Sequence, residues 1–278
     1  MNVDSSITVA SFNVHAGVDG WGRRFDAVGA CSALDADILV IEEDWIGDDP
    51  TESIGPNVAE AGGYQIITAP SGRARRKLPP ESESTLPTAW AARRSPRHPR
   101  PIRLDGNPRA LRTRDTAVER RMRATSGEWA TSLLSRIPIR SHMLCPLPAL
   151  RADISRRSAI LATLDIERAE PVTVIAVHLG HLTHGSPRQM RVLRACALHQ
   201  SGLVIVLGDL NCWGPPLRVL LRGLYDSVRG PTWPAWRPHS RIDHILTNEP
   251  DRVSASAVLE DAGSDHRPIT ATFALFAR

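Results

Sequence analysis

Cysteine is scarce and scattered: 4 residues in 278, at positions 31, 145, 196 and 212, with no Cys-x-x-Cys pair. That spacing argues against zinc knuckles, redox pairs and a disulfide framework, and it fits a reducing, cytoplasmic setting. Aromatic residues are also sparse at 5%, with 2 Tyr and 4 Phe, so a core drawn from the 42% apolar content must be mainly Val, Leu, Ile and Ala. No stretch approaches the roughly eighteen apolar residues of a membrane-spanning helix. The N-terminal MNVDSSITVASFNVH carries an early acid, no basic region and no long apolar run, so no export signal is expected. No repeat of fixed period points to a solenoid.

The charge is unevenly spread. Residues 71–123 hold 15 Lys or Arg against 5 acids, a balance of +10 in a chain whose formal total is +4, which leaves −6 for the remainder. The same segment has 7 prolines and scarcely any periodic apolar positions. Such a composition cannot bury enough surface to fold by itself, so the expectation is one large domain over 1–278 with a basic Pro/Arg-rich insertion at about 71–123.

Outside that segment, apolar strands alternate with helical patterns. Ser6–Asn13 reads as a strand, Arg23–Leu34 as a helix and Asp37–Ile41 as a buried strand delivering Glu42, Glu43 and Asp44. A helix is expected at Thr51–Ala61, stopped by Gly62-Gly63, then a strand at Tyr64–Ala69 and one helix near Thr113–Arg123. Strand periodicity resumes at Glu128–Leu134, Ser158–Ile166 and Val172–Leu179. Pro187–Gln200 is an amphipathic helix, with Met190, Leu193, Ala197 and Leu198 opposite Arg188, Arg191 and Arg194. Val204–Asn211, a short helix at Leu217–Leu224, and strands at Arg241–Thr247 and Pro268–Leu275 complete the chain.

Polar residues gather where these strands run out: Asn13, Glu43, His178, Asp209, Asn211, Asp243, Asp265 and His266. Each has a plainer explanation taken singly. Asp209-x-Asn211 makes an Asx turn, Asn13 caps a turn, Glu43 offsets a helix dipole, His178 sits in a core, and Ser264-Asp265-His266 forms a turn. Together they are a set of hard carboxylate and amide oxygens with two imidazoles. That set suits Mg²⁺ or Mn²⁺, disfavours structural zinc, and supplies the groups needed for attack of water on phosphorus.

In order along the chain stand SFNVH (11–15), DILVIEE (37–43), LLSRIPI (133–139), VHL (177–179), GDLN (208–211), RIDHIL (241–246) and SDHRPI (264–269). This series resembles the endonuclease/exonuclease/phosphatase superfamily, which includes deoxyribonuclease I-like nucleases, abasic-site endonucleases, inositol polyphosphate phosphatases and neutral sphingomyelinases. The resemblance implies an α/β (α+β) four-layer α-β-β-α sandwich of two packed, mostly antiparallel sheets. It implies that Asn13, Glu43 and Asp265 lie at the Mg²⁺ (or Mn²⁺) site, with Glu43 a direct ligand. Asp209 would orient or activate the water, Asn211 bind the phosphate and His178 hold a phosphate oxygen. His266, paired to Asp243, would contact the scissile phosphate. Three departures stand out: Glu42 replaces the usual Gln, so the ligand could slip by one residue; Phe12 replaces Trp; and the phosphate-gripping Tyr or Arg cannot be placed.

The expected function is therefore metal-dependent hydrolysis of a phosphate ester, foremost as a phosphodiesterase or nuclease. The basic segment would meet nucleic acid, and Trp233 and Trp236 of TWPAW would either stack on a base or form a rigid, packed loop. An inositol-phosphate or phospholipid head group is the alternative substrate, and a non-catalytic binding protein on the same scaffold the third reading. A monomer without a membrane span is expected.

Overall fold

The structure is a computed structural model describing residues 5–20, 23–78, 123–150, 155–167, 169–182 and 185–276. Two six-stranded sheets pack face to face. The first has the order β11-β12-β1-β2-β4-β3, built from β1 (Ser5–Asn13), β2 (Ile38–Gly47), β3 (Gln65–Leu78), β4 (Arg123–Ser135), β11 (Val253–Val258) and β12 (Ile269–Leu275). The second has the order β5-β6-β7-β8-β10-β9, from β5 (Ile139–Pro146), β6 (Ser158–Leu164), β7 (Val172–Ala176), β8 (Leu203–Asp209), β9 (Tyr225–Asp226) and β10 (Asp243–Thr247). Each sheet has one parallel pair, β1/β2 and β7/β8; the other pairings are antiparallel. The α/β sandwich expected from the sequence is the architecture found.

Strand alternation divides the core into layers. Ile7 and Val9 of β1, Ile38 and Val40 of β2, Val172, Val174 and Ala176 of β7, Ile205 and Leu207 of β8, and Ile245 of β10 meet between the sheets. The opposite faces are covered by helices. Ala10, Phe12, Leu39 and Ile41 pack with α1 (Ala27–Ser32) and α2 (Gly55–Gly62). Val204 and Val206 pack with α3 (Pro187–Leu198) and α4 (Pro215–Leu220).

Several elements differ from their expected extent. The helix expected at Arg23–Leu34 shortens to α1, because Arg24 bridges Val18 and Asp26 caps the helix by accepting from Gly29 N at 2.8 Å. The helix expected at Thr51–Ala61 divides into a 3-10 turn at Pro50–Glu52 and α2, whose end is set by Gly63 at φ 67°. On α3, Leu198 is exposed while Gln189 is buried.

The largest difference concerns the basic segment. Residues 71–78 continue β3, in antiparallel register with β4 from Gly72↔Trp129 to Leu78↔Arg123. Main-chain pairing needs no apolar side chain, and individual arginines find partners. Arg73 makes a two-pronged contact with Asp48, at 2.6 and 2.7 Å. Arg76, 4% exposed, donates to Ala16 O, Thr125 Oγ1 and Glu52. The rest of the expected insertion, 79–122, including most of the helix expected near Thr113–Arg123, lies outside the described residues; Arg123 itself opens β4. Strands β5, β9 and β11 had no expected counterpart.

Candidate active site

The site begins where the stripe between the sheets turns polar. Continuing the inward-facing positions past the last apolar residues leads to Asn13 on β1, Glu42 on β2, Asp209 at the end of β8 and Asp243 at the start of β10. Asp209 and Asp243 are register partners on neighbouring antiparallel strands. Two carboxylates set directly opposite repel each other, so the surroundings must supply positive charge or keep one of them protonated.

Both occur. Desolvation, followed by the charge of Asp243, pushes the Asp209 carboxyl up to about 7. His266 Nδ1 lies 3.0 Å from each oxygen of Asp243. Burial disfavours the imidazolium, but Asp243, Asp265 and Asp209 outweigh it and hold His266 well above the ordinary histidine range. With Nδ1 committed to Asp243, the proton available for transfer is the one on Nε2.

Asp209 is held from three sides. Its Oδ1 accepts from Asn211 N at 2.8 Å, and its Oδ2 accepts from the side-chain amides of Asn13 and Asn211, each at 3.2 Å. The first bond is an Asx turn, and Asn211 has φ 49°. Asp209 and Asn211 therefore reach one place through a turn after the strand rather than through strand alternation. Asn211 Nδ2 also donates to Leu179 O at 3.0 Å and lies 3.3 Å from His178 Nε2. Desolvation, with the charges of Arg157 and His266, pushes His178 well below the ordinary range, so its ring is neutral. Its approaches to Asp209 Oδ2 (3.5 Å) and Glu43 Oε1 (4.0 Å) are therefore not ion pairs.

The two adjacent glutamates are separated by their environments. Glu42 is fully buried, accepts from Ser11 Oγ at 2.7 Å, and is held well above the usual carboxylate range by desolvation. It lies close beneath Gly208, where a Cβ would come within 3.1 Å of Glu42 Oε1. Glu43 follows it into a β-bulge between Ile41 and Asp44 with φ 52°. The bulge breaks strict alternation, and in place of the outer face Glu43 comes near His178 of the second sheet.

Asp265 sits among longer contacts: Trp233 Nε1 donates to its Oδ2 at 3.3 Å and His15 Nδ1 is 3.4 Å from its Oδ1. Burial would raise this carboxyl, but His15, His266 and the Trp233 N–H together hold it below its usual range. Ser264 Oγ donates to Asn13 O at 2.7 Å, fastening the 264–266 turn to the end of β1. Trp236 packs over Gly20, where a Cβ would meet its ring at 2.5 Å, and Ala235 N donates to Asp265 O. The TWPAW segment is thus a packed loop along the rim of the site.

All eight residues expected from the sequence lie around this one cleft. His15, Trp233, Ser11 and Ser264 belong to it as well. His15 stood in plain view two positions after Asn13 within SFNVH. Among the described residues, Asp209, Asp243 and His266 also form a cluster whose possible ligand atoms lie within 4.8 Å of one another. Divalent-metal chemistry suits so acidic a cleft.

No curated protein sequence matches this chain. Solved structures do. An endonuclease/exonuclease/phosphatase from Beutenbergia cavernae is 22% identical over 97% of this chain and 72% of its own, with TM-score 0.61. D. rerio TDP2 complexed with single strand DNA product is 16% identical, covering 97% and 99%, with TM-score 0.59. The 3' phosphatase NExo from Neisseria, bound to product DNA hairpin, is 18% identical, covering 96% and 99%, with TM-score 0.53. At these identities the likeness is one of fold. The family model described as Endonuclease/Exonuclease/phosphatase matches residues 10–266. The chain accordingly belongs to the endonuclease/exonuclease/phosphatase family, whose members are metal-dependent phosphoester hydrolases.

Proposed function

We propose that this chain is a Mg²⁺-dependent phosphodiesterase, foremost a nuclease, acting as a monomer through attack of water on phosphorus. The observation carrying this reading is the opposition of the Asp243–His266 pair to Asp209, itself held by Asn13 and Asn211. Near neutral pH, Asp209 at about 7 can take a proton from water, and its three N–H partners fix where that water would stand. His266, held protonated, presents Nε2–H to phosphoryl charge or to the leaving oxygen. His178 and Asn211 add neutral contacts to a phosphate oxygen without further negative charge.

Asn13, Glu43 and Asp265 would hold the cation. They fit it because Glu43 and Asp265 are carboxylates whose polar contacts are long, 4.0 Å to His178 for Glu43 and 3.3–3.4 Å for Asp265, and all three offer hard oxygens. When bound, Mg²⁺ supplies positive charge against the phosphate. The cluster of Asp209, Asp243 and His266 serves proton handling instead, because its imidazole is already bound to a carboxylate.

We further read residues 1–278 as one domain in a cytoplasmic setting, with the basic insertion as an arm for nucleic acid. DNA in the structures of D. rerio TDP2 and Neisseria NExo supports that substrate class. The test is turnover of bis-p-nitrophenyl phosphate with Mg²⁺, lost in EDTA, followed by a panel of DNA, RNA, inositol phosphates and phospholipids. Undiminished activity in thoroughly chelated protein would refute the metal assignment. Turnover confined to inositol phosphates or phospholipids would transfer the function to that class, and no turnover of any ester would leave a binding protein.

A further inference from the structure

The four cysteines fall into two groups. Cys31 and Cys212 are fully buried, one among residues packed under α1 and α2, the other under α3 and α4. Cys145 and Cys196 are half-buried at the flank of the α3 core, and their sulfurs are in contact at 2.7 Å. They come from different elements: Cys145 from β5, the edge strand of the second sheet, and Cys196 from α3, 51 positions later. Two thiols held against each other by separate elements are already placed to react with one another.

The position couples this pair to the active-site cleft. Gln189, about two turns earlier on α3, accepts from Gly180 N at 2.8 Å and donates to Pro148 O at 3.0 Å. It thereby ties the segment just after His178 to the segment just after β5. A bond between Cys145 and Cys196 would fasten the same helix to the same strand at a second point.

We propose that Cys145 and Cys196 are a reversible dithiol–disulfide pair that clamps β5 to α3 and steadies the segment following His178. The oxidant is a small disulfide of the glutathione class. One cysteine thiolate attacks it, releasing one small thiol and leaving a mixed disulfide; the other then attacks the protein-bound sulfur and releases the second. Two S–H bonds and the oxidant's S–S bond are lost, one protein S–S bond and two small thiols are formed, and the pair's two electrons reside on the latter. Burial and the neighbouring sulfur push Cys196 up to about 12, which slows the step in which Cys196 is the attacking thiolate.

The test uses the full chain equilibrated in reduced and oxidised glutathione. Thiol titration in denaturant should fall from four to two, with a loss of about two mass units and a crosslinked peptide joining 145 to 196. Cys145→Ser and Cys196→Ser should each abolish the crosslink, while Cys31→Ser and Cys212→Ser leave it. Closing a loop of this length should raise the melting temperature by roughly 10 °C. Hydrogen exchange at the Gly180 amide should slow in the oxidised form. Four persistent thiols, a stable mixed disulfide, or a crosslink that survives Cys145→Ser would overturn the pair. Unchanged exchange at Gly180 would overturn its link to the cleft.

Discussion

Replacing Asp209 by Asn is expected to stabilise the metal-free protein while removing its activity. Asp209 is 2% exposed and stands opposite Asp243, and its carboxyl is held at about 7 by desolvation and that neighbour. A carboxyl held near 7 rather than near 4 costs the folded state about 4 kcal/mol once the group is ionised in both states. The sign follows from proton counting. Between about pH 4 and pH 7 the folded chain keeps a proton that the unfolded chain has released, so wild-type stability falls as pH rises through that window. Asparagine carries no such proton and escapes the loss. Against this, the three N–H groups converging on Asp209 cannot all be met by one amide, and the donor left facing a donor costs roughly 1–2 kcal/mol. The net gain is about 2 kcal/mol above pH 7, or roughly 4 to 8 °C in melting temperature. Below about pH 4 only the mismatch remains and the order should reverse. Urea denaturation in EDTA from about pH 3 to 9 measures this directly. A variant less stable than wild type at every pH, or a difference that does not vary with pH, would refute the placement of a strained carboxylate at Asp209.

His266→Ala should cost about 10² to 10⁴ in turnover, and combined with Asp243→Asn the loss should be clearly less than the product of the single losses; near-full activity would make the 264–266 turn structural. Glu43→Gln should weaken cation binding more than about tenfold by calorimetry. Glu42→Gln should change it little, because Glu42 is fully buried and occupied by Ser11; the reverse outcome would move the ligand to Glu42. Replacing 79–122 with a short Gly-Ser linker, sparing the paired ends of β3 and β4, should leave hydrolysis of a small diester intact while weakening polyanion binding and flattening its salt dependence. Equal losses on small and large substrates would place that segment in the site itself.

Much of the architecture is written locally. The β-branched runs ending at Asn13, Ile41 and Asp209 are strands because alternation and burial agree along each of them, and their polar ends mark the rim where the inter-sheet stripe opens to the cleft. The SFNVH, DILVIEE, VHL, GDLN, RIDHIL and SDHRPI motifs were sufficient to name the eight polar residues that meet at the cleft, since motif order survives in the sequence. Contact between distant segments does not. The Arg-rich end of β3 has no strand-like side-chain pattern and exists because β4 offers its backbone a partner. The choice between Glu42 and Glu43 depends on one bulge, which turns consecutive acids into a fully buried group and a cleft-facing one. The paired states of Asp209, Asp243 and His266 come from strand register and a returning turn, and the meeting of Cys145 with Cys196 from a helix laid across an edge strand. Local pattern determines what each segment becomes; charge, protonation and reactivity depend on neighbours that only packing brings together.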